Sequence, residues 1–251
     1  MDHSGRDFLK QIKARLDQLI VDRGLLESCD KAKALILAGA VFVDGQRVDK
    51  PGYTFKLDAR IELTKRPKYV SRGGLKLECA LEQFPIDPSG LTCLDIGSST
   101  GGFSDCLLQH GAAKVYAIDA GTNQLDWKIR SDPRVIAKEN VNARTLDASI
   151  VPDPIDLLVC DVSFISVTLV LPPALPLLQP HARMVILIKP QFEAGREQVG
   201  TGGIVRDPQV HQQVCRRIES FVKELGLQTS IIASPILGAE GNREFLLYGY
   251  R

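Results

Sequence analysis

The chain has 251 residues and a formal net charge of +1, with 44% hydrophobic and 24% charged residues. This composition excludes a disordered chain, and the sequence has no run of the roughly 18 apolar residues that a membrane span requires. The charged start of the chain lacks the apolar segment of a signal peptide, so we expect a cytoplasmic protein with no membrane partner. The six cysteines have no CxxC spacing, and we expect neither a metal site nor a disulfide framework.

Charge is unevenly distributed along the chain. Residues 1–76 hold 16 of the 31 Lys and Arg residues but only 10 of the 30 Asp and Glu residues. A basic first third before an acidic remainder favours contact of the N-terminal part with phosphate groups. The length is suited to one small and one medium domain.

The first 63 residues contain signals for two helices followed by short strands. Apolar residues recur at helical spacing over 6–22, and Ser28 can cap a second helix over 29–38. An Asp-Gly pair at 44–45 lies between two β-prone runs and predicts a hairpin over 41–48. Residues 53–63 alternate like one or two more short strands.

Several residues of this segment match a known pattern. They are Arg15-Leu16-Asp17, Leu19, Arg23-Gly24-Leu25, Ser28, Lys31-Ala32, Ile36, Gly39, Val41, Val43-Asp44-Gly45, Val48 and Lys50-Pro51. The segment thereby resembles the S4 RNA-binding domain, and we assign residues 1–63 to a small α+β S4-like domain. The resemblance implies that Arg15, Arg23, Lys31 and Lys33 contact RNA. A helical hairpin that only docks on the rest of the chain is the alternative.

Residues 64–75, TKRPKYVSRGGL, are the most basic stretch of the chain and are rich in Pro and Gly. This composition predicts a linker. Lys65, Arg66, Lys68 and Arg72 could bind RNA phosphates. We expect RNA on the first domain to order this linker and to set Lys76 in place, with a passive tether as the alternative.

From residue 91 onwards, β-type runs alternate with helical ones. Such alternation predicts a parallel sheet covered by helices on both faces. Helices are predicted near 102–110, 123–130, 166–178 and 208–225. The seven predicted strands are 92–96, 114–119, 134–137, 156–161, 184–189, 229–234 and 244–250. Because no helix separates the last two strands, we expect the last strand to be antiparallel.

The first of these strands runs into a glycine-containing turn. Three residues separate Gly97 from Gly101, and Asp95 stands two residues before Gly97. A dinucleotide site would have G-x-G-x-x-G and no carboxylate beside the pyrophosphate. The pattern therefore favours a cationic nucleoside, and S-adenosylmethionine, with its sulfonium and ammonium groups, fits best. Asp119, which ends the second strand, can accept hydrogen bonds from both ribose hydroxyls.

A strand, a D-x-G-x-x-x-G turn, a helix, a second strand and a terminal Asp together resemble the seven-stranded, Rossmann-like methyltransferase fold. We assign residues 76–251 to this α/β domain, with the last strand antiparallel. The resemblance implies that S-adenosylmethionine contacts Asp95, Gly97, Ser99, Gly101, Gly102, Phe103, Asp119, Asn142 and Asp161.

Charged residues stand where the later strands end or begin. Asp161 and Lys189 end strands four and five, and Glu244 begins the last strand. Ligands bind at the carboxyl ends of parallel strands, so these side chains should meet at one edge of the sheet. With Lys76 they resemble the K-D-K-E tetrad of ribose 2′-O-methyltransferases of the FtsJ type.

Neighbouring motifs extend the resemblance over nearly the whole chain. They read YVSRGGLKL, CLDIGSSTGGF, NAR, CDVSFIS, IKPQFE, QVGTGGIV and GNREF. These motifs resemble the TlyA (hemolysin-A-like) family, which joins an S4 domain to this methyltransferase. The resemblance implies methylation of cytidine 2′-hydroxyls in ribosomal RNA, with the RNA or a ribosomal subunit as the partner.

The tetrad suits removal of a proton from a ribose hydroxyl. A lysine amine serves as a base where burial or another cation lowers its pKa. We assign Lys189 as the proton acceptor, Asp161 as its orienting group, and Lys76 with Glu244 as the pair that positions the ribose, although the base within the tetrad stays open. The alternatives are a structural ion-pair cluster, a membrane-active hemolysin and an S4-type RNA-binding protein without catalytic activity.

Overall fold

In the computed structural model the chain forms two units, Met1–Pro67 and Lys68–Arg251. The structure describes residues 13–37, 40–63, 68–238 and 241–251. The part of the predicted first helix before residue 13 and the candidate RNA-binding residues Lys65 and Arg66 lie outside these ranges. No helix within them is long and apolar enough to cross a membrane.

The described part of the first unit consists of two helices and five short strands. They are β1 (Lys13–Arg15), α1 (Leu16–Asp22), α2 (Cys29–Leu37), β2 (Val41–Val43), β3 (Gln46–Val48), β4 (Thr54–Lys56) and β5 (Ile61–Leu63). β1 pairs antiparallel with β4, and β2 lies between β3 and β5. The predicted small α+β unit is thereby confirmed.

The start of α1 corrects the prediction of one helix over 6–22. Residues 13–15 form a strand, in which Lys13 opposes Lys56 and Arg15 opposes Thr54. Pairing with β4 satisfies the peptide groups of this segment, so a tertiary interaction overrides the helical spacing. From Leu16 onwards the apolar face is as predicted, because Leu16 and Ile20 are buried in one cluster with Ala32 and Ile36 of α2.

The cap and the turn of the first unit follow the sequence signals. Ser28 Oγ accepts a hydrogen bond from the Lys31 N–H at 3.3 Å and caps α2. Asp44 and Gly45 have φ values of 50° and 80°, the two positive angles of a type I′ turn, and they join β2 to β3. Residues 53–63 contain two strands, because β4 pairs with β1 whereas β5 pairs with β2.

The second unit is a seven-stranded sheet. Its strands are β6 (Thr92–Ile96), β7 (Lys114–Ile118), β8 (Val135–Lys138), β9 (Ile155–Cys160), β10 (Leu178–Ile188), β11 (Gln228–Ala233) and β12 (Phe245–Tyr250). They lie in the order β11-β12-β10-β9-β6-β7-β8, and of these seven strands only β12 runs in the opposite direction to the others. The predicted α/β sheet and its antiparallel last strand are confirmed.

Helices cover both faces of this sheet. They are α3 (Gly73–Gln83), α4 (Gly102–Gln109), α5 (Trp127–Arg130), α6 (Val167–Ala174), α7 (Pro190–Glu193) and α8 (Pro208–Glu224). α8 begins as its sequence indicates, since Asp207 Oδ1 accepts the Gln209 N–H at 2.8 Å. The helix predicted over 123–130 is shorter, because Asn123 has a φ of 55° and Asp126 caps the helix at Trp127.

Side chains of β6 alternate between the two core layers that lie on opposite faces of the sheet. Leu94 and Ile96 belong to the layer that holds α6 and α8. Cys93 belongs to the layer that holds α3 and α4. Because successive strand residues point to opposite faces, Asp95 lies on the same side as Cys93. This placement matters for the site described below.

The start of the second unit corrects the prediction of a linker over 64–75. Residues 73–75 form the first turn of α3, and residues 68–72 pack on α4. Asp105 Oδ2 accepts the Val70 N–H at 2.9 Å, and Gln109 Nε2 donates to Lys68 O at 2.9 Å. Since α4 provides partners for this backbone, the second unit begins at Lys68 and not at residue 76.

Replacement of Asp105 by Ala should loosen the segment 68–72. The buried Asp105 carboxylate also accepts hydrogen bonds from Gln109 Nε2 at 3.0 Å and Lys128 Nζ at 2.8 Å. Loss of this acceptor leaves the Val70 N–H without it, and we expect a destabilisation of about 1–3 kcal/mol. Urea unfolding measures the loss, and hydrogen exchange should become faster over 68–76. Glu224→Ala, at the exposed end of α8, is the control, and unchanged exchange in Asp105→Ala would contradict the prediction.

Candidate active site

Just beyond the carboxyl ends of β6 and β9, the backbone at Gly97 packs directly against the backbone at Asp161. β6 leads into a turn in which Gly97 has a φ of 83°, and the Gly97 N–H donates to Ile118 O at 2.8 Å. A Cβ atom at Gly97 would lie 2.4 Å from the carbonyl oxygen of Asp161, which follows β9. Glycine is therefore required by the backbone angle and by the close approach of the second strand.

A cavity of about 380 Å³ opens at this edge of the sheet. Ile96, Ile118 and Val141 contribute apolar walls, and Asp119 contributes a carboxylate. Asp119 Oδ2 accepts the Ser99 N–H at 2.8 Å, and Asp119 Oδ1 accepts a second backbone N–H, from residue 121, at 2.7 Å. These two bonds fix the orientation of the carboxylate. The cavity thus has apolar walls and two acidic residues, Asp119 with its fixed carboxylate and Asp161.

A second cavity of about 160 Å³ adjoins the first. It lies between the glycine turn, the first turn of α3 and the charged residues that follow β9 and β10. The residues that line both cavities are Gly97, Ser99, Asp161 and Ser163. A ligand that extends from one cavity into the other would pass this shared wall.

Two lysine–carboxylate pairs form the charged part of the site. Lys76 Nζ lies 2.5 Å from Glu244 Oε2, and these side chains are only 9% and 2% exposed. Lys189 Nζ lies 2.6 Å from Asp161 Oδ1, and these side chains are 12% and 20% exposed. Lys76, Asp161 and Lys189 line the second cavity, which Glu244 reaches through Lys76. The structure thus brings all four residues of the predicted tetrad to one place.

Four elements position the tetrad. Asp161 and Lys189 follow β9 and β10, and the antiparallel register of β12 places Phe245 opposite Ile188, so Glu244 arrives at the same edge. Lys76 lies in the first two turns of α3. Because Lys76 lies on this helix and pairs with Glu244, its position is set by α3 and β12 rather than by a linker.

Two residues of the predicted cofactor set lie off the cavity walls. Asp95 is fully buried on the α4 side of β6, where Ser104 Oγ donates to Asp95 Oδ2 at 2.6 Å. Gly101 has a φ of 94°, and a Cβ atom there would lie 2.9 Å from Leu125 Cδ1. Both residues support the turn from within the protein. The other predicted residues line one or both cavities: Gly97, Ser99, Gly102, Phe103, Asp119, Asn142 and Asp161.

The environment of Asp95 disfavours its charged form. Burial raises the pKa of the Asp95 carboxyl to about 7, and the nearby Asp161 carboxylate acts in the same direction. The hydrogen bond from Ser104 opposes the shift, because it stabilises the carboxylate. Among the residues that the structure describes, Asp95 Oδ1 is also buried without a hydrogen-bond partner. The surroundings of this carboxyl, directly beneath the glycine turn, therefore favour its neutral form.

The basic residues assigned to RNA contact differ in how far they are engaged. Arg15 Nη2 lies 2.8 Å from Asp17 Oδ2, and Arg23 Nη1 donates to a backbone carbonyl oxygen at 2.6 Å. Lys31 and Lys33 form only local pairs with acids of the same helical segment and remain exposed. In the second unit, Lys68 pairs with Glu78 and Arg72 donates to Leu237 O.

Sequence reasoning missed two residues after Asp161. Phe164 is 91% exposed and adopts a φ of 65°, and its ring lies 4.9 Å from that of Phe192. Ser163 Oγ accepts a hydrogen bond from Lys189 Nζ at 2.8 Å. The motif CDVSFIS contains both residues, but periodicity does not reveal that the chain turns there.

The cysteines take no visible part in the site. All six are free thiols, and Cys93, Cys106 and Cys160 are buried. Burial raises the pKa of the Cys93 and Cys106 thiols to about 12. Across the described ranges, no group of three or more His, Cys, Asp or Glu side chains is arranged to hold a metal ion.

The sheet, the glycine turn and the acid after β7 define the class of the second unit, which has the fold of S-adenosylmethionine-dependent methyltransferases. The FtsJ-like methyltransferase family matches residues 69–251, and the S4 domain matches residues 14–61. The chain belongs to the FtsJ-like methyltransferase family and carries an S4 domain in front of the enzyme unit.

Individual proteins resemble the chain over nearly its whole length. A Bacillus subtilis protein named as an rRNA methyltransferase, YqxC, is 49% identical over 239 residues, which cover 94% of this chain and 85% of that protein. The 16S/23S rRNA (cytidine-2′-O)-methyltransferase TlyA of Mycobacterium tuberculosis is 42% identical, with 94% and 89% covered. A solved structure described as a hemolysin from Streptococcus thermophilus is 42% identical, with a TM-score of 0.73 and 95% and 88% covered. The predicted resemblance to the TlyA (hemolysin-A-like) family is confirmed.

Replacement of Asp95 by Asn should change how stability depends on pH. The folded state holds the Asp95 proton up to about pH 7, whereas an unfolded chain releases it at about pH 4. Between these limits the folded state binds more protons, so the free energy of unfolding falls as the pH rises. The Asn variant has no proton to lose, and over this window it should gain a few kcal/mol relative to the parent. Urea unfolding at about pH 4, 6 and 8 measures this difference, and a constant difference would show that the prediction is wrong.

Proposed function

We propose that this chain transfers the methyl group of S-adenosylmethionine to the 2′-hydroxyl of a cytidine ribose in ribosomal RNA. The observation that carries the proposal is the presence of two lysine–carboxylate pairs, Lys76–Glu244 and Lys189–Asp161, beside a cavity suited to a nucleoside. The activity for which the TlyA relative is named supports the choice of hydroxyl and nucleotide. Such a substrate implies a cytoplasmic enzyme whose partner is ribosomal RNA or a ribosomal subunit.

The first cavity fits the nucleoside part of the cofactor. S-adenosylmethionine supplies a methyl group that is activated on a sulfonium centre. Ile118 and Val141 provide apolar walls for the adenine, and Asn142 stands at the rim. Each oxygen of Asp119 accepts one backbone N–H and keeps capacity for a ribose hydroxyl.

The charge of the cavities also fits this cofactor. Asp119 and Asp161 both stand on the walls, and carboxylates attract a sulfonium or an ammonium but repel a pyrophosphate. The backbone of Gly97 and Ser99 lines both cavities, where the amino-acid part of the cofactor would extend. Asp95 and Gly101 contribute by holding this turn rather than by direct contact.

The tetrad provides the groups that the hydroxyl needs. We assign Lys189 to accept the proton of the 2′-hydroxyl as the new O–C bond forms and the S–C bond breaks to release S-adenosylhomocysteine, while Asp161 pairs with its Nζ atom. Lys76, fixed by Glu244, can donate a hydrogen bond to the ribose. The exposed ring of Phe164 offers a stacking surface for the target base. Since the transfer is in-line, positioning by these residues contributes much of the rate.

Lys189→Ala should abolish methyl transfer, because it removes the proton acceptor. Lys189→Arg should not restore it, since a guanidinium stays protonated. Affinity for S-adenosylhomocysteine, measured by calorimetry, should stay within about threefold of the parent, because Lys189 acts on the hydroxyl. Activity is measured with purified protein and ribosomal RNA or subunits from cells that lack the protein, followed by mass-spectrometric mapping of ribose methylation.

The comparison with Arg decides the role of Lys189. Near-normal turnover of Lys189→Arg would make Lys189 an electrostatic group and place the base elsewhere in the tetrad. Absence of ribose methylation by the parent protein on naked RNA and on both subunits would refute the proposed function. Lys223→Ala, on the exposed part of α8, is the matched control and should keep full activity.

The exposed side chains of Lys31 and Lys33 should affect binding of the RNA substrate and not the methyl-transfer step. Changing Lys31 and Lys33 together to Glu places repulsive charge on the proposed RNA face, and we expect KM for the RNA substrate to rise about tenfold or more. The effect should weaken as salt increases, while kcat and the affinity for S-adenosylhomocysteine stay unchanged. Steady-state kinetics at two salt concentrations test this. An unchanged KM would remove these two lysines from the RNA-binding surface.

A further inference from the structure

We propose that Ser163 is a positioning residue that acts through Lys189 and sets the direction in which this amine meets the ribose hydroxyl. The inference rests on the proposed function, because Lys189 accepts a proton only in that reaction. Ser163 does not belong to the tetrad, and its hydroxyl could not be recognised from the sequence pattern.

The Lys189 amine has two partners on one segment of chain. Asp161 Oδ1 lies 2.6 Å from Nζ as an ion pair without hydrogen-bond geometry, whereas Ser163 Oγ accepts a hydrogen bond from Nζ at 2.8 Å. With one partner, the end of a lysine side chain can still rotate about its last bonds. With two partners the nitrogen is fixed, and the lone pair of the neutral amine then points in one direction. Ser163 therefore adds the second constraint that Asp161 alone does not supply.

The location of Ser163 gives this constraint a function. Ser163 is exposed and belongs to the wall that the two cavities share. In the proposed reaction the methyl group passes between the cavities at this wall. The hydrogen bond to Ser163 thus holds the Lys189 amine near the place where the hydroxyl must lose its proton. This matters because displacing a reacting group by about 1 Å can lower the rate strongly.

The backbone around Ser163 supports the same interpretation. Phe164 adopts a φ of 65°, a conformation that residues with a side chain rarely adopt outside special turns. This turn directs the Ser163 hydroxyl to Lys189 while the Phe164 ring stays exposed and contacts Phe192. A plain connection after β9 would not need this backbone conformation, which therefore points to a role for the turn.

A further contact holds the two segments in register. Glu193, at the end of α7, accepts hydrogen bonds from Ser166 Oγ at 2.7 Å and from the Val167 N–H at 2.8 Å. The segment 161–167 is therefore joined to the segment 189–193 at three successive points, through Lys189, Phe192 and Glu193. Ser163 belongs to the first of these points, which is the one that faces the cavities.

The rival explanation is that Ser163 contacts the cofactor, since it also lines the first cavity. The two roles predict different kinetics. A residue that orients the base changes kcat, whereas a residue that holds the cofactor changes the affinity for S-adenosylhomocysteine. A hydroxyl-dependent role also predicts rescue by Thr, which keeps the oxygen at the same position.

The test uses the full chain with Ser163→Ala, Ser163→Thr and the control Ser230→Ala, which lies exposed on the edge strand β11. For Ser163→Ala we expect kcat to fall about 10- to 100-fold, because the hydrogen bond is lost from an amine that becomes charged as it takes the proton. KM for the RNA and the affinity for S-adenosylhomocysteine should stay within about threefold, and Ser163→Thr should recover most of kcat. Ser230→Ala should behave like the parent.

Three outcomes would overturn the inference. They are an unchanged kcat in Ser163→Ala, an equal loss in Ser163→Thr, and a loss in Ser163→Ala that saturating cofactor restores. The parent and Lys189→Ala, measured in the same assay, separate the two proposals. If the parent methylates RNA and Lys189→Ala does not, a normal Ser163→Ala defeats only this inference. If the parent is inactive, the proposed function fails and this inference fails with it.

Discussion

The contact between Gly97 and the backbone of Asp161 fixes the geometry of the site. A Cβ atom at Gly97 would approach the Asp161 carbonyl oxygen to 2.4 Å, so β6 and β9 can end this close together only with glycine there. Gly97 begins the turn that lines both cavities, and Asp161 carries the carboxylate that pairs with Lys189. The distance between the cofactor turn and the proton-accepting group is thus set by main chain, which is less adaptable than side chains.

Much of the architecture was predictable because it depends on local patterns. β-type runs with helical runs between them indicated a parallel sheet, and the absence of a helix before residue 244 indicated an antiparallel last strand. Residues at these strand ends must meet at one edge of the sheet, so the sequence alone groups Asp161, Lys189 and Glu244. Cap and turn signals at Ser28 and Asp44 also act within a few residues and were equally readable.

The rest depended on partners that are distant in sequence. Residues 13–15 have helical spacing, yet β4 pairs with them, and residues 68–75 have the composition of a linker, yet Asp105 and Gln109 bind their backbone. The side of the strand on which Asp95 lies followed from strand alternation, but its burial depended on α4. Ser163 could not be found because its role arises from a positive φ at the next residue, which no apolar pattern records.

The pair between Lys76 and Glu244 joins residues that are 168 positions apart, the first helix of the enzyme unit and the start of its last strand. Contacts of such large sequence separation form late in folding, because a long loop must close before they are made. During synthesis the sheet from β6 to β10 can assemble while Lys76 still lacks its carboxylate. A ribosome that stops before β12 would therefore release a chain with the glycine turn and three of the four charged residues but without a complete site. The enzyme unit thus becomes competent only after β12 has been synthesised and has brought Glu244 to Lys76.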